Sequence, residues 1–76
     1  MYRIGIDVGG TFTDFVAVDA AGRCTFVKSP STPEDPSIGV MTGLGVLAEA
    51  VGLDRGALLA QTERIVHGTT VATNAL

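Results

Sequence analysis

The stretch Arg3-Ile4-Gly5-Ile6-Asp7-Val8-Gly9-Gly10-Thr11-Phe12-Thr13-Asp14 decides how this chain is read. From Arg3 to Val8 it alternates, with β-branched Ile4, Ile6 and Val8 on one face and Asp7 near its end, the period of a half-buried strand. Gly9-Gly10 breaks that strand. A second strand, Thr13 to Asp19, sets Phe15 and Ala17 on one face and Val16 and Val18 on the other. Ala20-Ala21-Gly22-Arg23 is a short turn, and Cys24 to Ser29 makes a third strand. Both connections are short and contain glycine, as hairpin links prefer. The opening third therefore reads as a three-stranded antiparallel meander.

Beyond it, three prolines and polar residues mark Pro30 to Pro36 as a loop. Asp35 is a good N-cap with Pro36 at the first helical position. The spacing predicts a helix over Pro36 to Val51, ended by Gly52 in the left-handed conformation. Ile38, Met41, Leu44, Ala48 and Val51 recur at three- and four-residue intervals and read as its buried stripe. Gly39, Gly43 and Gly45 each cost about 1 kcal/mol relative to Ala inside a helix. Close packing of the helix backbone on a sheet is one reason to tolerate them. Asp54 caps a short turn through Leu59. Glu63 to His67 reads as a fourth strand, Gly68 as a turn, and Thr69 or Thr70 as the cap of a further helix from Val71.

The chain has 76 residues, 46% of them hydrophobic and 17% charged, with a mean hydropathy of +0.40. That is too apolar for disorder. A chain this short hides only about 60% of its unfolded surface, so its own core is marginal. One cysteine allows no internal disulfide, and no Cys/His cluster offers a structural zinc. The usual staples of a miniature protein are missing. Residues 1–76 are therefore expected to be one module, or the opening piece of a larger domain, that buries its remaining apolar faces elsewhere. Self-association or docking onto another chain is the corresponding expectation.

Charge narrows the partners. Five Lys and Arg against eight Asp and Glu give −3, and the basic residues are scattered, with no stripe for a nucleic-acid backbone. The uncharged run through Ser37–Ala48 carries three glycines and falls short of the about 20 apolar residues a membrane span needs. The start lacks the charged-then-apolar layout of a signal peptide. A cytoplasmic protein without nucleic-acid or membrane partners is the expectation. Cys24 fits it, and reads as a small buried hydrophobe.

Two segments can carry chemistry. In Asp7-Val8-Gly9-Gly10-Thr11-Phe12-Thr13-Asp14, glycines let a phosphate approach the backbone N–H groups. Thr11 and Thr13 can add hydroxyl donors, and Asp7 can hold a magnesium ion directly or through waters. The competing reading is a plain hairpin turn that needs no ligand. The pattern is neither a P-loop nor G-x-G-x-x-G. In His67-Gly68-Thr69-Thr70-Val71-Ala72-Thr73-Asn74, a strand ending in His turns into a helix start whose free N–H groups favour an anion. There the competing reading is ordinary caps and a hydrogen-bonded His. Asp14 can orient or cap the glycine loop, and Asp19 serves the turn. The carboxylates show no acid/base pair.

Taken together, these two segments, with Thr32-Pro33-Glu34-Asp35-Pro36 and Gly39-Val40 between them, resemble the start of the hydantoinase A / 5-oxoprolinase family. Asp-x-Gly-Gly-Thr alone is shared with sugar kinases and other actin-like ATPases. Its extension Phe-Thr-Asp and the segment His67 to Asn74 are much more specific. The resemblance covers essentially the whole chain but only the opening portion of a family member. It implies an α/β fold: part of a ribonuclease-H-like, actin-like ATPase domain, with a three-stranded antiparallel meander, a helix, a parallel strand and the start of a helix.

By function, the resemblance implies ATP-dependent ring opening of cyclic amides such as hydantoins or 5-oxoproline, or ATP-dependent carboxylation of ketones such as acetone or acetophenone. In the shared scheme the γ-phosphoryl group goes to a carbonyl or carboxylate oxygen, a transfer that rests on positioning and charge neutralisation. ATP and Mg²⁺ are the cofactors it implies. Gly9, Gly10, Thr11 and Thr13 would cradle phosphate and Asp7 would serve the metal. Thr69, Thr70 and Asn74, with His67 beside them, would lie near the cleft. Partners would be nucleotide, a small cyclic amide or ketone, and the rest of the parent chain or partner subunits. The second phosphate loop and adenosine-binding segment of such ATPases match nothing here. A small-molecule kinase and a non-catalytic interaction module are the alternatives from other classes.

Overall fold

A computed structural model describes residues 1–69. Strands β1 (Tyr2–Val8), β2 (Phe12–Val18) and β3 (Cys24–Pro30) are followed by helices α1 (Pro36–Ala50) and α2 (Arg55–Ala60) and by strand β4 (Thr62–Thr69). The sheet order is β3-β2-β1-β4. The first three strands pair antiparallel, and β4 joins β1 in parallel. This is the expected meander, helix and parallel strand. The further helix expected from Val71 lies outside the described residues.

Register places Ile4 beside Ala17, Ile6 beside Phe15, Phe15 beside Val27 and Thr13 beside Ser29. These residues share one face, because side chains on a strand alternate. Ile4, Ile6, Phe15 and Ala17 are buried there with Leu44, Leu47 and Ala48 of α1 and Leu58 of α2. Among the described residues α1 and α2 lie on this one face and leave the other open, where Phe26 and Val66 remain 75% and 61% exposed.

The helix lies on the sheet by its glycines, and that rotates it from the expected stripe. Gly39, Gly43, Leu44, Leu47 and Ala48 are its buried residues, while Ile38 and Met41 are exposed. A Cβ on Gly43 would overlap the Cε1–Cζ edge of the Phe15 ring, and one on Gly39 would meet Thr32 Oγ1 at 2.9 Å. Backbone proximity at these two positions outweighed the larger side chains in choosing the face. Gly45 has no neighbour within 4 Å of a Cβ, and nothing in the structure explains it.

The caps follow the sequence. Asp35 accepts from the Ser37 N–H, Pro36 opens α1, and Gly52 ends it at φ +82°. The Gly52 N–H bonds Glu49 O and the Leu53 N–H bonds Ala48 O, satisfying carbonyls the helix end leaves over. Asp54 caps α2 through the Ala57 N–H at 2.7 Å. Asp19 holds the β2–β3 turn by accepting from the Ala21 and Arg23 N–H groups, each at 2.9 Å.

Two further expectations are corrected. β4 runs past His67, so Gly68 is a strand residue paired with Asp7 rather than a turn, and Thr69 still pairs with Val8; the helix that Thr69 or Thr70 is expected to cap lies outside the described residues. β1 offers a ladder partner that far, and a paired backbone stays extended. Cys24 is exposed, since it begins β3 beside Val18, away from the helix-covered core.

Gly43→Ala and Gly45→Ala test the seating of α1 by urea denaturation. Overpacking against the fully buried Phe15 should cost the first variant about 1–3 kcal/mol. The second should gain up to about 1 kcal/mol from helix propensity alone. Equal effects at the two positions would contradict this seating.

Candidate functional site

Two segments more than fifty residues apart meet because β1 and β4 run the same way. Asp7 lies beside Gly68 and Val8 beside Thr69, so both strands finish at one end of the sheet. Open α/β sheets bind ligands beyond such carboxyl ends. The turn following β1 carries Gly9, Gly10 and Thr11, and the loop between β3 and α1 comes back beside it.

The contacts between those two loops pass through Ser31. Its N–H donates to the Thr11 carbonyl at 2.8 Å, and its hydroxyl donates to the Gly9 carbonyl at 2.7 Å. A carbonyl only accepts, so the Ser31 hydrogen is spent there. The 2.9 Å contact between Thr13 Oγ1 and Ser31 Oγ is then a bond donated by Thr13. Thr13 is 2% exposed, on the helix-covered face. Its hydrogen is committed inside the protein, so in this arrangement it supports the loop from beneath.

The loop itself is open. The Gly9 N–H reaches Phe12 O at 3.0 Å, whereas the Gly10 and Thr11 N–H groups donate to nothing among the described residues. Gly10 and Thr11 are both exposed. The glycines at left-handed φ are Gly22 and Gly52. Gly10 has no such angle, and a Cβ on it would find nothing within 4 Å. Neither strain nor crowding within the chain asks for glycine at this position. Val8, Gly9, Gly10, Thr13, Ser31, Thr32, Pro33 and Pro36 line a cleft of about 110 Å³ next to it.

The opposite face of the sheet carries the carboxylates. Asp7 is the cross-strand partner of Asp14, and Asp14 is the partner of Lys28. Residues opposed in this way have Cβ atoms about 4.5–5.5 Å apart, and like charges so placed repel. Lys28 Nζ sits 3.6 Å from Asp14 Oδ1, both ends well exposed, and 5.6 Å from the centre of the Phe12 ring. The side chain of Asp14 thus meets Lys28 and, among the described residues, makes no hydrogen bond to the loop it was expected to orient or cap, and the paired carboxylates not expected from sequence are Asp7 and Asp14. A broader cleft of about 370 Å³ runs along this face past Gly5, Asp7, Asp14, Val16, Phe26, Val66 and Gly68.

Of the residues singled out in the sequence, Asp7, Gly9, Gly10, Thr11 and Thr13 gather at this end of the sheet. His67 is exposed and pairs with Ile6, which puts it on the face opposite Asp7. Thr69 ends β4 next to Val8. Thr70 and Asn74 lie outside the described residues. Ser31 was not anticipated, since nothing local distinguishes it from other loop serines. Asp14 had a usable signal: counting outward from a two-residue turn at Gly10-Thr11 pairs position 7 with position 14. Among the described residues no helix is long and apolar enough to cross a membrane.

Comparison with known proteins matches residues 3–76 to the hydantoinase/oxoprolinase N-terminal region. The chain is 45% identical over 75 residues to caprolactamase subunit alpha of Pseudomonas jessenii, covering 99% of this chain and 11% of that protein. It is also 45% identical over 73 residues to the acetophenone carboxylase gamma subunit of Aromatoleum aromaticum, covering 96% of this chain and 10% of that one. The chain therefore spans about a tenth of the length of the curated relatives it matches. A nucleotide-free structure of acetone carboxylase, from work on ATP-dependent acetone carboxylation, superimposes with a TM-score of 0.84 at 30% identity, over 97% of this chain and 11% of that one. A nucleotide-free diol dehydratase-reactivating factor shares the fold at a TM-score of 0.52 and 22% identity, over 71% of this chain and 10% of that one.

The opposed carboxylates make a prediction. Asp7→Asn removes one of two facing charges and should stabilise the fold by about 0.2–1 kcal/mol at low ionic strength without divalent cations. The gain should shrink as salt is added. Urea midpoints at two salt concentrations check it, and a loss of stability would show that Asp7 is held by a favourable contact instead.

Proposed function

The chain belongs to the hydantoinase/oxoprolinase family, and on that premise we propose that residues 1–76 form the phosphate-binding opening of an ATP-dependent enzyme that hydrolyses cyclic amides. The observation that carries this reading is Gly10. A glycine that the fold itself does not require, with its own N–H and that of Thr11 left free among the described residues at the end of two parallel strands, fits a backbone that must admit a ligand. A plain hairpin would leave that glycine unexplained.

In this reading Gly10 and Thr11 present backbone N–H groups and Thr11 its hydroxyl to the nucleotide's phosphates, while Gly9, whose N–H is bonded to Phe12 O, lets the phosphate come close to the backbone. Thr13 acts from beneath by fixing Ser31. Asp7 and Asp14 offer hard oxygen donors on adjacent strands, which suits magnesium, an ion commonly held by one or two carboxylates and several waters. When bound with ATP, magnesium neutralises charge on the β- and γ-phosphoryl oxygens. Transfer of the γ-phosphoryl group to the amide oxygen would leave the amide carbon open to attack by water. Cleavage of the carbon–nitrogen bond would then open the ring to an amine and an acyl phosphate, and a second water would hydrolyse the acyl phosphate to the carboxylate and free phosphate. Thr69, Thr70 and Asn74, with His67 nearby in sequence, are the proposed contribution of the second motif to the cleft. We propose no separate chemical role for His67.

The acetophenone carboxylase and acetone carboxylase likenesses support a second reading, in which the same loop serves carboxylation of a ketone. Both readings need more protein than these residues. The open face with Phe26 and Val66 is proposed to be covered by the rest of the parent chain or by a partner subunit. The proposed setting is cytoplasmic, with no nucleic-acid partner.

Assays of the full-length protein separate the branches. ATP loss that depends on a cyclic amide supports the hydrolase, and ATP loss that needs a ketone with bicarbonate supports the carboxylase. Accumulation of a stable phosphorylated product would favour a kinase over both. In the same protein, Gly10→Ala should leave the melting temperature unchanged and weaken Mg-ATP binding by about tenfold or more, equivalent to 1.4 kcal/mol. Unchanged affinity would return Gly9-Gly10 to the role of a simple turn. The 76 residues alone should show no ATP turnover above background, and turnover by the purified chain would refute the need for more protein.

A further inference from the structure

We propose that Ser31 is the residue that sorts the glycine loop, holding the Gly9 and Thr11 carbonyls inward so that the Gly10 N–H faces an incoming phosphate. The inference rests on the phosphate-site reading above and adds a residue that lies outside both recognised motifs. Its basis is the geometry of the peptide unit. The peptide bonds of the described residues are trans, so each carbonyl points opposite to the N–H of the next residue. Ser31 draws the Gly9 carbonyl to its hydroxyl at 2.7 Å and the Thr11 carbonyl to its N–H at 2.8 Å. The Gly10 and Phe12 N–H groups are thereby turned away from Ser31.

That sorting has to be imposed. The peptide between Gly9 and Gly10 is flanked by two residues without a Cβ, so its plane can rotate with little steric resistance. Rotation by half a turn would present the Gly9 carbonyl to the phosphate, oxygen against oxygen. The Ser31 hydroxyl opposes this directly, and Thr13, buried beneath, fixes that hydroxyl by donating to its oxygen. The loop can then be both approachable, because of its glycines, and oriented, because of a side chain from another loop. Ser31 touches no phosphate in this arrangement and is a positioning residue.

The test uses the full-length protein and isothermal titration with two probes, Mg-ATP and adenosine, alongside the melting temperature. Ser31→Ala should weaken Mg-ATP binding by about tenfold, the scale of one lost hydrogen bond, and leave adenosine binding unchanged. Ser31→Thr, which restores a hydroxyl, should recover Mg-ATP affinity to within about twofold of the parent. Mg-ATP binding by Ser31→Ala equal to that of the parent, while Gly10→Ala loses it, would overturn the inference and leave the phosphate site standing. A matching fall for both probes, with a lowered melting temperature, would also overturn it in favour of a purely structural role. A parent protein that binds no Mg-ATP would remove the phosphate-site reading itself. Should Ser31→Ala fail to fold, Ser31→Cys, similar in size but a weak donor, carries the same comparison.

Discussion

The ring of Phe15 lies against the backbone of α1 at Gly43, and most of this structure is arranged around that contact. Only a residue without a Cβ lets a helix come so close to an aromatic ring on a sheet. The closeness brings Leu44, Leu47 and Ala48 onto Ile4, Ile6 and Ala17, where dense packing contributes most of what a small core can supply. It also sets the position of the helix start. Gly39 is held against Pro30 and Thr32, so the loop ahead of α1 is drawn down beside the glycine hairpin. Ser31 reaches Gly9 and Thr11 from that loop. A packing contact in the core thus determines the backbone geometry of a site at its rim.

The elements of the fold were legible because short-range rules decide them. Alternation marked β1 and β2, Asp35-Pro36 and Gly52 bounded α1, and the meander followed from two short glycine-containing links. The face that α1 buries was legible in part. Leu44 and Ala48 of the expected stripe are buried and Val51 packs against the core, and Gly39 and Gly43 make the close backbone approach their presence suggests. Ile38 and Met41 are exposed, because ring-to-backbone packing at Gly43 turns the helix by an amount that spacing alone does not encode. The end of β4 was misjudged for a related reason. Gly68 reads as a turn in isolation and becomes a strand residue when β1 supplies hydrogen-bond partners alongside it.

The candidate site was legible in its parts but not in its connections. Asp7, the glycines and the threonines stand out as residue types, and the parallel pairing of β1 with β4 unites the two motifs they belong to. Which face each side chain takes depends on register, and register placed Asp7 with Asp14 on the face away from Thr13. The outcome is a site with an ordered sheltered side, where hydroxyls and carbonyls satisfy one another, and a charged open side, where two carboxylates oppose each other. Such a break with the rules of cross-strand pairing is the kind of local conflict that functional positions retain.

The exposed thiol of Cys24 gives the sheet a practical polarity. It begins β3, whereas Ser31 follows that strand's other end, so about 20 Å of extended backbone separates the chain's single cysteine from the glycine loop. A fluorophore or spin label coupled there would sit at one defined position, distant enough to leave the loop undisturbed. It would also lie on β3, an edge strand among the described residues, so the position of a ligand or neighbouring domain at the loop could be measured as a distance along the same sheet.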